Sequence, residues 1–133
     1  MPEVIESREN YLEIIFMLSR KGSVRSVDIV EMSGYSKPSV SVAVHSLAQQ
    51  GYLEIDENKF ITLTPKGEKI AMEVFARHKY ITKFLVHSLG LDVITAESDA
   101  CKIEHFISRE TYDAIQKYVD KKHLRDEKLD NFR

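Results

Sequence analysis

Tyr11, Ile14, Ile15 and Leu18 recur at the i, i+3, i+4, i+7 spacing of a buried helical stripe. They predict a first helix over about residues 7–20, ended by Gly22, with Asn10 and Glu13 one turn apart on another face. A short second helix is expected over about 26–33, with Ser26 as its N-cap. SGYSKPS then reads as a turn into a third helix: Ser36 caps it, and Pro38 fits a first turn whose amides have no intrahelical partner. This helix runs to about Gln50; Val40, Val44 and Leu47 form its inward stripe, and Gly51 stops it. YLEIDENKFITLT alternates apolar and polar residues on both sides of DENK, the pattern of a two-stranded hairpin. Thr64-Pro65 opens a long helix over about 65–89, ended by Gly90. Two more helices follow, over about 93–107 and, capped by Ser108, over 109–122, before a charged tail at 123–133 that is expected to be mobile.

The order of the first five elements is that of a winged helix-turn-helix: a tight turn joins two short helices, the second is placed to enter a major groove, and the hairpin lies beside it as a wing. The same order also fits a small α+β domain with no nucleic-acid role. The expected fold is mainly α, with a winged helix-turn-helix over 1–72 and an all-helical domain over 73–133.

Charge sharpens this reading. The 133 residues, 43% of them hydrophobic, suffice for one globular unit or two small units sharing a core. Nineteen basic and 21 acidic residues leave a net charge of −2, and residues 1–72 carry eight Lys or Arg against ten Asp or Glu. A strongly basic DNA-binding chain is excluded, so affinity for DNA has to come from local placement of charge or from an added cation. The outward positions of the third helix are Lys37, Ser39, Ser41, Val42 and His45, with Ser36 and Pro38 at its entrance. No arginine is present there to read guanine; hydroxyls can bond phosphates or bases, and Val42 and Pro38 can touch thymine methyl groups, although Val42 fits helix packing equally well. Arg25, Lys37, Lys59 at the wing tip and Lys66 are candidate phosphate contacts, each equally readable as a solvated surface charge. No run of eighteen apolar residues exists, the first ten residues are unlike a secretory signal, and the lone cysteine cannot form an internal disulfide. A cytoplasmic location is expected, with no membrane partner and no small organic substrate.

That cysteine lies in DACKIEHF. On a helix, Cys101, Glu104 and His105 fall within an arc of about 100°. A nucleophilic cysteine needs a base and an oxyanion hole, and no oxyanion-type loop stands beside this one, so an enzyme is not expected. The plain alternative is a buried cysteine beside a surface Glu and His. His78 on the long helix, with Glu13 on the first, supplies further ligand types, and the mixed N, O and S set suits a transition metal better than calcium or magnesium.

At this point the chain resembles the diphtheria-toxin-repressor and manganese-transport-regulator family. The resemblance rests on ENYLEIIFML at 9–18, SKPSVSVAVHSLAQQGYLE at 36–54, LTPKGEKIA at 63–71, RHKYITKFL at 77–85 and SDACKIEHFIS at 98–108. It implies a homodimeric, metal-activated transcriptional repressor acting on a double-stranded DNA operator, with the C-terminal helices dimerising and holding most ligands, as in the short form without a C-terminal barrel. Carried over position by position, Glu13 matches the manganese type, His78, Glu104 and His105 match ligands of both types, and Cys101 stands where iron-type members have Cys. Asn10 matches neither type and is a weak ligand. Glu97 aligns with an ancillary histidine and is also weak, and Thr82 aligns with an ancillary carboxylate. The hybrid set implies Fe(II), slightly favoured over Mn(II), with Zn(II), Co(II) or Ni(II) also accepted in vitro. Phe84, Leu85, Leu89, Leu91, Phe106 and Ile107 are candidate dimer contacts or ordinary core. Two rivals stand beside this reading: a winged-helix regulator with a vestigial or structural metal site that binds DNA without metal, and a metal-buffering or enzymatic protein.

Overall fold

A computed structural model describes residues 7–122. The elements in order are α1 (Arg8–Ser19), α2 (Ser26–Ser33), α3 (Lys37–Gln49), β1 (Leu53–Ile55), β2 (Ile61–Leu63), α4 (Pro65–Leu89), α5 (Val93–Ile103) and α6 (Arg109–Lys122). The chain divides between Val74 and Phe75 into two compact units. The tail at 123–133 lies outside the described residues.

In the N-terminal unit, α1 packs on α2, α3 and β2, while α3 packs on α2 and β1. The Ser7 side chain caps α1 by accepting from the Asn10 amide at 3.2 Å. The burial of α1 is broader than a single stripe: Leu12 and Met17 are buried with Tyr11, Ile14 and Ile15, and Leu18 only partly. The N-cap of α2 is Arg25 rather than Ser26, because the Asp28 carboxylate reaches back to accept from the Arg25 amide at 2.9 Å. Gly34 ends α2 at φ +78°, a left-handed cap that glycine adopts without a Cβ penalty. Ser36 caps α3 as expected, accepting from the Ser39 amide, and Val40, Val44 and Leu47 are its buried stripe.

The wing is small. Leu53 pairs with Leu63, Glu54 with Thr62 and Ile55 with Ile61 in one antiparallel ladder. Val24, ahead of α2, adds a bridge to Ile61, whose amide donates to the Val24 carbonyl at 2.8 Å. At the tip, the Asp56 carboxylate accepts from the amides of Asn58 and Phe60, and Lys59 is held at φ +70°. Where the wing meets α4, the Thr64 hydroxyl donates to the Gly51 carbonyl at 2.6 Å and accepts from the Gly67 amide at 3.2 Å. A Cβ on Gly67 would collide with the Tyr52 carbonyl.

In the C-terminal unit, Ala96 and Ala100 on α5 are fully buried in a cluster with Ile81 and Leu85 of α4. Small residues one turn apart leave room on α5 for the larger side chains of α4. Phe84, Val86, Leu91, Ile107 and Ile115 pack around this cluster. Of the candidate dimer contacts, Leu85 is therefore core, Phe84, Leu91 and Ile107 are partly buried, and Leu89 and Phe106 are exposed. The expected helix over 93–107 stops at Ile103: Glu104 is its C-cap, and beyond it the amides of His105 and Phe106 bond three residues back instead of four. Ser108 caps α6, accepting from the Thr111 amide at 3.0 Å.

Candidate metal centre

Glu97, Cys101 and Glu104 follow one another at i, i+4, i+7, so they form one edge of α5 and its C-cap. Each of the first two comes directly after one of the buried alanines, and the packing of Ile81 and Leu85 on those alanines sets this edge beside His78 of α4. The His78 imidazole is buried between two carboxylates: Nδ1 lies 2.8 Å from Glu104 Oε1 and Nε2 lies 2.9 Å from Glu97 Oε1. A neutral ring donates from only one nitrogen, so one of these two contacts sets a lone pair against a carboxylate oxygen. A second proton, or a cation beside that nitrogen, removes the conflict.

Ligand atoms of His78, Cys101 and Glu104 lie within 4.8 Å of one another. Ligands bound at about 2.0–2.3 Å from one ion span nearly this distance, so the three groups reach one coordination sphere with little movement. Glu104 is almost wholly buried, where a carboxylate is stabilised by a cation drawn close to it. His105 Nε2 stands 3.5 Å from Glu104 Oε2, and the Glu104 carbonyl accepts from Arg77 Nε at 3.3 Å. Imidazole, thiolate and carboxylate in one half-buried cluster are the donor set of a borderline divalent metal.

The structure thus brings His78, Cys101, Glu104, His105 and Glu97 together within the C-terminal unit. Thr82, one turn beyond His78, is buried and offers only a neutral hydroxyl. Glu13 and Asn10 belong to α1 of the N-terminal unit, and both are buried. The Asn10 amide donates to the Tyr35 hydroxyl at 2.5 Å, and the Tyr35 ring lies against Tyr11 with centroids 5.3 Å apart. Tyr35 escaped the sequence reading, which took SGYSKPS only as a turn. Its one signal was an aromatic residue directly ahead of the α3 cap.

Elsewhere in the N-terminal unit, Ser36, Lys37, Pro38, Ser41, Val42 and His45 are exposed, and Ser39 is partly buried. His45 Nδ1 lies 2.8 Å from the Ser41 carbonyl, so this ring folds back along its own helix. Arg25 stacks its guanidinium 4.3 Å from the Phe60 ring centroid, which ties the start of α2 to the wing. The Lys66 ammonium donates to the Gln50 carbonyl at 2.9 Å and lies over the Tyr52 ring, a structural engagement at the foot of the wing. Lys59 is exposed at the wing tip.

Comparison with known proteins agrees with both halves of this description. Residues 3–60 match the N-terminal DNA-binding domain of iron-dependent repressors, and residues 64–126 match their metal-binding and dimerisation domain. An uncharacterized HTH-type transcriptional regulator of Methanocaldococcus jannaschii is 31% identical over 118 residues, covering 87% of this chain and 94% of that protein. The transcriptional regulator MntR of Escherichia coli O157:H7 is 36% identical over 114 residues, covering 85% of this chain and 73% of that one. Among solved structures, a manganese-dependent transcriptional repressor in complex with manganese superposes with a TM-score of 0.78 at 26% identity, over 86% of this chain and 53% of that one. The chain spans about half the length of the solved repressors that it matches. With a winged DNA-binding half, a helical half that gathers imidazole, thiolate and carboxylate, and matches to both family domains, the chain belongs to the iron-dependent repressor family, the metal-dependent transcriptional regulators of the diphtheria-toxin-repressor and manganese-regulator type.

Proposed function

We propose that this chain is a metal-activated, homodimeric repressor in which His78, Cys101, Glu104 and His105 hold a divalent transition metal together with Glu13 of α1. The buried His78–Cys101–Glu104 cluster is the observation that carries the reading. Bound there, the ion supplies a divalent charge that neutralises clustered carboxylates and thiolate. Glu97, beside the far nitrogen of His78, is a weak member of the ligand set. Glu13 shares the ligand set and so couples α1, and the winged unit built on it, to the C-terminal helices. Two recognition helices fixed in this way in a dimer reach successive major grooves about 34–36 Å apart. Ordering before docking lowers the entropic cost of binding, so metal and operator affinities rise together by linkage.

Cys101 favours Fe(II), while Glu13 keeps Mn(II) close behind. Asn10 donates to Tyr35 through Nδ2, which orients its Oδ1 as a weak, neutral ligand. Ser36, Lys37, Pro38, Ser39, Ser41, Val42 and His45 form the groove-facing surface, with Arg25 and Lys59 toward the phosphates.

The test is anaerobic fluorescence anisotropy with duplex DNA from upstream of the chain's own gene, in chelator, Fe(II) or Mn(II) at fixed ionic strength. Binding only with metal, lost in Glu104→Ala and His105→Ala, is the expected result. The metal effective at the lower free concentration then becomes the favoured signal. Equal binding in chelator would instead favour a regulator whose metal site does not gate DNA recognition.

A further inference from the structure

Four residues of α3, Pro38, Ser41, Val42 and His45, recur at i, i+3, i+4, i+7 and form a stripe opposite the buried Val40 and Val44. Val42, at the middle of that stripe, is 71% exposed. A β-branched apolar side chain gains nothing from the helix it sits on and nothing from water. Its neighbours on the stripe offer little base-specific hydrogen bonding. His45 turns its Nδ1 back onto the Ser41 carbonyl, Ser41 offers only a short hydroxyl that fits any base, and Pro38 has no side-chain donor. The Ser36 hydroxyl is spent on Ser39. No arginine, asparagine or glutamine lies between Lys37 and Ser46 to grip a purine edge bidentately. In the major groove, the apolar feature of a base pair is the 5-methyl group of thymine.

We infer that Val42 is a specificity-determining residue, which selects a T·A pair in each half-site by packing its two methyl groups on the thymine 5-methyl. The inference rests on the reading of α3 as the groove-entering helix, and it adds what that helix reads. Discrimination is then by removal of apolar surface from water more than by hydrogen bonds, and its loss changes sequence preference more than phosphate contact.

The experiment uses the full chain with a randomised duplex library, in Mn(II) and, anaerobically, in Fe(II). The enriched sequence is resynthesised with deoxyuridine replacing thymidine at one position per half-site in turn, which deletes the methyl group alone. One thymine should stand out, with binding weakened about fourfold per half-site, the worth of one methyl group transferred from water. Val42→Ala should weaken binding to the thymine duplex and show no further loss on the deoxyuridine duplex. Val42→Gln should shift the enriched base at that position toward adenine, which glutamine can grip at N6 and N7. Circular dichroism melts of each variant separate a folding defect from a recognition defect. Affinity indifferent to the methyl at every thymine, or an unchanged methyl penalty in Val42→Ala, overturns the inference while leaving the repressor reading intact. Failure of the wild type to enrich any sequence overturns both.

Discussion

Glu104→Gln separates the structural role of Glu104 from its role toward a metal. The side chain is sealed from solvent, and Oε1 meets His78 Nδ1 at 2.8 Å, a contact that a glutamine oxygen accepts equally well. What the amide loses is the charge. In chelator the variant should therefore melt within a few degrees of the wild type, or above it, because a buried carboxylate no longer has to be desolvated. The metal response should differ sharply. An ion at one hundred times its Kd stabilises the native state by about 2.7 kcal/mol. At about 3–5 °C per kcal/mol for a chain of this size, the wild type should gain on the order of 10 °C in Tm on saturation with Mn(II) or, anaerobically, Fe(II). With the carboxylate gone, most of that gain should vanish. The assay is a thermal melt by circular dichroism, with and without metal, and Glu110→Gln on the exposed face of α6 is the control. A Glu104→Gln protein that keeps the full metal-induced rise refutes the assignment of this cluster as the metal centre.

Tyr35→Phe removes the acceptor of the buried Asn10 amide and should cost about 1–2 kcal/mol in urea unfolding; a change under about 0.3 kcal/mol would mean that the bond is replaced without penalty. Lys59→Gly relieves a left-handed backbone at the wing tip, so stability should rise by about 0.5–1 kcal/mol while the salt dependence of operator binding flattens by about one unit of slope; unchanged slope removes Lys59 from the phosphate contacts. The Asp92 carboxyl is held below its ordinary value by the Thr95 hydroxyl first and then by the amides of Thr95 and Ile94. Because its folded pKa is lowered, its contribution is present above about pH 3.8 and fades as pH falls through the folded value; Asp92→Ala should lower Tm at neutral pH and bring the two melting curves together in strong acid.

Most of the elements were legible because each is marked at its ends. Ser36 with Pro38, Thr64-Pro65 and Ser108 announce helix starts, and Gly51 and Gly90 take the left-handed conformation just past helix ends. The end of α5 carries no such mark. Its last turn tightens at Glu104 within an unbroken run of helix-compatible residues, so the sequence suggested a helix to 107. The third bridge of the wing was equally hidden, since Val24 meets Ile61 across two intervening helices and no local pattern encodes that meeting. At the metal centre, residue type and spacing were enough to bring His78, Cys101 and Glu104 into one candidate set. That both nitrogens of His78 face carboxylates depends on how Ile81 and Leu85 of α4 pack on two alanines of α5, a matter of packing and not of motif. Asn10 had an ambiguous chemistry on paper because its phenol partner lies 25 positions away.

The glycine under the Tyr52 carbonyl limits where this protein tolerates insertions and deletions. Neither of its neighbours, Lys66 or Glu68, can take its place, so α4 cannot slip by one residue without driving a side chain into the Tyr52 backbone. Length changes between β2 and α4 would break that fit. At the DENK tip, four residues and beyond, the chain ends are held by the ladder and by Val24, and extra residues loop outward without disturbing either. A library that varies the wing in length should therefore insert at 57–58 and leave 64–67 untouched.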